Sequence, residues 1–121
     1  MSFQSIVKDL VETGNNGLAS AIMGFDGLPL AKHVAQGAEC DVETIGVEYG
    51  KALDEIKSAS AILKLGEVEE VVVRTLGVDV LMRVINPEYF LAFAIGQKAN
   101  VGKARFLLRK AVSRARNELQ A

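Results

Sequence analysis

From Asp41 to Leu65 an apolar residue returns at alternating steps of four and three: Ile45, Tyr49, Ala52, Ile56, Ala59 and Leu63. That spacing predicts a long helix whose narrow apolar stripe, at heptad spacing, faces a core. Asp41 is a good N-cap for it. Such a helix divides the remaining sequence into two groups of strand signals, one on each side.

Ahead of it, Phe3, Ile6, Val7, Leu10 and Val11 recur at helical spacing and predict a first helix over Ser2 to Glu12. Gly14-Asn15-Asn16-Gly17 ends that helix. Leu18 to Phe25 reads as a strand covered on both faces. Asp26-Gly27 predicts a two-residue type I′ turn, and Leu28 to Val34 returns as a second strand. Pro29 cannot donate a ladder hydrogen bond, so this strand belongs at a sheet edge.

After the long helix, Gly66 is the expected cap. Val68 to Leu76 is a valine-rich strand, and Gly77-Val78 fits a short hairpin with glycine first. Asp79 to Ile85 follows, then a turn at Asn86-Pro87-Glu88, then a last strand over Tyr89 to Ile95. The final helix runs from Val101 to Leu119 with Asn100 as N-cap. It buries Val101, Ala104, Leu108, Ala111, Val112, Ala115 and Leu119. The order is α-β-β-α-β-β-β-α, an α+β chain expected to form one domain over residues 1–121.

The inventory is poor in catalytic groups, with one histidine, one cysteine and no tryptophan. One cysteine excludes an internal disulfide and a cysteine-based zinc site. A net charge of −1 predicts no global attraction to nucleic acid or to an anionic membrane. No apolar run reaches the roughly 18–20 residues of a membrane span, and the N-terminus carries acids without a signal core. The expectation is a complete, cytoplasmic chain that binds rather than catalyses.

Three segments together resemble the roadblock/dynein light chain family, and its prokaryotic MglB-like group most. They are Met23-Gly24-Phe25-Asp26-Gly27-Leu28-Pro29-Leu30-Ala31, the helix from Val42 to Leu65, and Asn100-Val101-Gly102-Lys103-Ala104-Arg105-Phe106-Leu107-Leu108-Arg109-Lys110-Ala111. The resemblance covers essentially the whole chain. It implies a profilin- and longin-like three-layer α/β/α sandwich on an antiparallel sheet of order 2-1-5-4-3. The long helix would lie on one face and the terminal helices on the other.

The resemblance also implies a homodimer, paired through the third strand with the two middle helices side by side. Val68, Val71, Val72, Val73, Thr75, Ile56 and Ser60 would form that interface. An apolar edge without proline is an aggregation hazard unless it is paired. Family members regulate or support nucleotide-binding proteins, so the implied partner is a Ras-like small GTPase whose hydrolysis is stimulated. A structural scaffold or a motor-associated light chain is the alternative. The family's partner face maps here onto Gly46, Tyr49, Gly50, Leu53, Asp54, Lys57, Ser58 and Ala61. Tyr49 also fits the core stripe. The glycines at 46 and 50 admit two readings: close packing on the chain's own sheet, or close approach by a partner.

No other motif carries chemistry. The nearest approach to a phosphate-binding loop, Gly96 through Gly102-Lys103, has its glycines one residue too far apart. Ala104 also stands where a Mg²⁺-binding hydroxyl is needed. No cofactor, metal or nucleotide site is expected, and His33 reads as a surface or packing residue. Cys40 precedes a helix start, where a thiolate is favoured, but lacks a second cysteine. The last helix holds Lys103, Arg105, Arg109, Lys110, Arg114 and Arg116 against Glu118 alone. Those charges suit a solvated face, an acidic partner or anionic membrane, or nucleic acid. The scarcity of stacking aromatics weighs against the last.

Overall fold

The computed structural model describes residues 2–14 and 16–120. Asn15, part of the turn expected after the first helix, lies outside the described residues. The elements are α1 (Phe3–Thr13), β1 (Gly17–Gly24), β2 (Pro29–Val34), α2 (Val42–Ile62), β3 (Glu70–Val73), β4 (Val78–Val84), β5 (Tyr89–Gly96) and α3 (Val101–Gln120). The strands form one antiparallel sheet in the order β2-β1-β5-β4-β3. The α+β class, the element order and the strand order all agree with the sequence-based expectation.

Period-two alternation divides the sheet into two cores. Ile22, Leu81, Leu91, Phe93 and Ile95 face α1 and α3, meeting Ile6, Val7, Leu10, Leu108 and Val112. Ala19, Ala21, Met23, Met82, Phe90, Ala92 and Ala94 face α2. The α2 side is therefore floored largely with alanine, and a helix can approach it closely. Buried Ser20 is satisfied by donating to the carbonyl of Val7 at 3.0 Å.

Local hydrogen bonding sets the ends of the elements. A reciprocal capping box joins Ser2 and Ser5 at the start of α1. Asn100 caps α3 as expected, its Oδ1 accepting from the Lys103 N–H at 3.0 Å. The Asn86 Oδ1 accepts from the N–H groups of Glu88 and Tyr89, fixing the β4–β5 turn.

Three turns differ from the sequence-based expectation. The β1–β2 loop spans residues 25–28, and only Gly27 takes a positive φ (+91°). Type I′ would need Asp26 there too; instead the Asp26 carboxylate accepts from the Leu28 N–H. The β3–β4 connection runs over residues 74–77 and is organised by side chains rather than by Gly77. The Thr75 hydroxyl accepts from Gly77 and Val78 and donates to the Val78 carbonyl. β3 is correspondingly only 4 residues long. Finally, α2 ends at Ile62 through a Schellman pair: Leu65 N–H donates to Ser60 O and Lys64 N–H to Ala61 O. Lys64 (φ +57°) therefore holds the left-handed position expected of Gly66, which lies further on at φ +102°.

Candidate functional site

α2 positions the expected partner face, and it is anchored at its start. The Asp41 carboxylate accepts from the Thr44 N–H at 3.1 Å and from the Thr44 hydroxyl at 2.7 Å. Those bonds hold the Asp41 carboxyl below its ordinary pKa. Lys32 of β2 reaches Glu43 at 3.0 Å. Cys40, beside them, has its thiol pKa raised by burial and then by the Asp41 charge. The thiolate suggested by its place before a helix is therefore disfavoured.

The buried residues of α2 are Val42, Gly46, Gly50 and Leu53. This corrects the later part of the expected core stripe: Ile45 and Tyr49 pack half-buried against the α2-side core, whereas Ala52, Ile56, Ala59 and Leu63 are exposed. The glycine face is the one turned to the sheet. A Cβ on Gly46 would stand 2.6 Å from Met23 Cγ, and one on Gly50 would stand 3.0 Å from Phe90 Cζ. Of the two readings of the glycines, close packing on the chain's own sheet is the one realised. Gly46, Gly50 and Leu53 consequently offer no outward surface.

Beyond Leu53 no residue of α2 is buried. Its last turns leave the sheet and open a groove against β4 and the chain before β3. Lys57, Ala61, Lys64, Val68, Val84 and Pro87 are among its lining residues. Lys57 lies 3.7 Å above the Phe25 ring and 3.9 Å from Asp54. Asp54, Ser58 and Ala61 are exposed, while Tyr49 and Lys57 are half-buried. These five are the residues of the expected partner face that other molecules can reach.

From Ala52 onward the apolar stripe faces outward. Ile56 is 39% exposed, Leu63 65% and Ile62 79%, and Leu65 continues the patch. Ser60 lies half-buried nearby. Of the expected interface strand, Val71 and Val73 are half-buried on the α2 side with Val68, whereas Val72 packs on the α1/α3 side. Thr75 is exposed in the following loop. Ile62 and Leu65 were not among the expected interface residues. Their signal in the sequence was an apolar residue on each side of Leu63 at the end of a helix.

The two sheet edges are unlike. On β2, Pro29 lacks a donor and the Gln4 side chain covers the Lys32 carbonyl at 2.9 Å. On β3, the Val84 N–H bonds the Glu69 carbonyl, and the register runs Glu70–Arg83, Val71–Met82, Val72–Leu81. Antiparallel alternation then aims the backbone groups of Glu70 and Val72 away from β4. The Glu70 carboxylate is held between Arg83 at 3.3 Å and Arg105 at 2.6 Å, tying this edge to α3.

Among the described residues no group of His, Cys, Asp and Glu is placed to hold a metal. Among those residues no helix is long and apolar enough to cross a membrane.

No family model and no curated protein matches the chain. Solved structures do. The chain is similar to MglC from Myxococcus xanthus, with 35% identity over 98% of this chain and 99% of that one, at a TM-score of 0.70. A Roadblock/LC7 domain from Streptomyces avermitilis aligns over 100% of both chains at 18% identity and a TM-score of 0.86. Myxococcus xanthus MglB aligns over 98% of this chain and 94% of its own at 9% identity, again at 0.86. The last two likenesses establish the fold alone.

Proposed function

Because the chain belongs to the roadblock family, close to its prokaryotic MglB-like members, we propose that residues 1–121 act as one roadblock domain. In this reading it is a non-enzymatic, cytoplasmic, homodimeric adaptor that binds a Ras-like small GTPase and stimulates its GTP hydrolysis.

One observation carries the homodimer. The exposed stripe of Ile56, Leu63 and Ile62 belongs to the helix whose last turns line a groove with Val68 and Val84, beside the chain that leads into β3, the strand with the open edge. Pairing β3 with its symmetric copy would satisfy the outward backbone groups of Glu70 and Val72. The same two-fold would cover both apolar stripes. The GTPase surface would be the accessible residues Tyr49, Asp54, Lys57, Ser58 and Ala61. α2 contains no arginine. Stimulation would therefore act by holding the GTPase's own switch segments in an active geometry rather than through an arginine finger.

The test is the GTP hydrolysis rate of the Ras-like GTPase encoded by the same genome, with and without this protein. Binding to its GTP- and GDP-loaded forms is measured in parallel. Stimulation with GTP-selective binding, lost in Ser58→Arg, is the expected result. Binding without stimulation would leave an adaptor, and no binding in either state would replace this reading with a structural subunit.

A further inference from the structure

α3 carries a second surface that the α2 site does not use. Its buried residues are Ala104, Leu108, Ala111, Val112 and Ala115. Phe106 lies on the opposite side of the helix and is 55% exposed. Large aromatic side chains usually find burial, so this one leaves an apolar knob in water.

The cations of α3 divide into two groups. Arg105 pairs with Glu70, Arg114 with Asp9, and Arg116 donates to the carbonyls of Val84 and Ile85. Lys103, Arg109 and Lys110 have no carboxylate partner among the described residues. Helical spacing places all three around Phe106, and the Lys110 ammonium lies 5.4 Å from its ring centroid. The result is an apolar anchor flanked by three cations that form no ion pair among the described residues, with Arg109 also lining a hollow beside Glu67 and Glu69. Elsewhere the chain is acidic, with fourteen Asp and Glu against eight Lys and Arg in residues 1–100.

We propose that the outward face of α3, centred on Phe106 with Lys103, Arg109 and Lys110, docks a protein partner presenting an apolar pocket rimmed by carboxylates. Aromatic anchors supply affinity, and rim charges steer approach. Charge complementarity selects this occupant over others. A second copy meeting α3 with α3 would oppose like charges. The neighbouring helix α1 adds no net positive charge to this layer for a bilayer to meet, its exposed Lys8 being offset by Glu12 and its Asp9 already paired with Arg114. The three unpaired cations of α3 fall short of the roughly 4–8 clustered on one helix that mark anionic-lipid binding.

The test incorporates a photoreactive phenylalanine at position 106 of the full chain in the native cell. The cross-linked protein is then purified and titrated against the unmodified chain. The expected result is an acidic protein whose dissociation constant rises about tenfold or more for Phe106→Ala and for Lys110→Glu. Binding should weaken steeply between about 50 and about 300 mM salt. Ser58→Arg should leave this binding unchanged, which separates it from the α2 site and from any failure there. Phe106→Ala should unfold at the same urea concentration as the parent, because Phe106 is outside the core. Three outcomes would overturn the proposal: no adduct, an adduct bound equally by Phe106→Ala, or binding to phosphatidylserine vesicles that Phe106→Ala removes.

Discussion

Gly46 of α2 sits so close over Met23 of β1 that a Cβ added to it would meet Met23 Cγ at 2.6 Å. A glycine inside a helix costs roughly 1 kcal/mol relative to alanine. Here that cost is offset by a close approach to the alanine-lined floor. Filling the gap with Gly46→Val should lower stability by about 2 kcal/mol, since overpacking a tight core costs about 1–3 kcal/mol. Ser58→Val, on the exposed side of the same helix, should change it by about 0.5 kcal/mol or less. Urea unfolding midpoints of the two variants make the comparison, and equal midpoints would contradict the packing described.

Glu70 ties the edge strand to α3. It is 10% exposed and faces two arginines, one of them also largely buried. Glu70→Ala should cost about 2 kcal/mol, chiefly by stranding Arg83. Breaking the exposed Glu48–Lys51 pair with Glu48→Ala should cost about 0.5 kcal/mol or less. Thermal unfolding read by circular dichroism distinguishes the two effects.

If β3 pairs with its copy, the outward N–H of Val72 is required for assembly and dispensable for the protomer. Val72→Pro should leave the β4 ladder intact while abolishing self-association. Light scattering should give twice the 13.0 kDa chain mass for the parent and the single mass for the variant. Leu63→Asp should do the same by placing charge in the apolar stripe. A monomeric parent, or a dimeric Val72→Pro, would remove β3 from the interface.

The Asp41 cap titrates. Its folded pKa is depressed, first by the Thr44 bonds, so its contribution is fully present above the unfolded value near 3.8. It is lost as pH falls through the lower folded value. Asp41→Asn keeps a capping oxygen but removes the charge. The stability difference between parent and variant should therefore be constant from neutral pH down to about pH 5 and shrink below about pH 4. A difference that grows on acidification would contradict the assignment.

Much of the fold was legible in the residues. The strands announced themselves by apolar runs between turn residues, and Asp41 and Asn100 marked two helix starts through chemistry that acts within three residues. Pro29 told one sheet edge from the interior for a similarly local reason. The site was harder to read. Tyr49, Asp54, Lys57, Ser58 and Ala61 lie on α2 as expected, yet Gly46, Gly50 and Leu53 from the same set are buried. Phe106 lies within one of the three resembling segments, yet only its place on the polar side of α3 distinguishes it from its apolar neighbours.

The sequence by itself determined that residues 42–62 form a helix with two distinct faces, because backbone hydrogen bonding and 3.6-residue periodicity belong to the helix alone. Which face turns inward was decided by the tertiary structure. The floor beneath α2 is built from Ala19, Ala21, Ala92 and Ala94, residues of two strands far apart in sequence. That shallow floor accepts the glycine face at short range, with Met23 and Phe90 reaching up to fill the space at Gly46 and Gly50. The apolar stripe through Ile56 and Leu63 is left in water, where only another molecule can bury it.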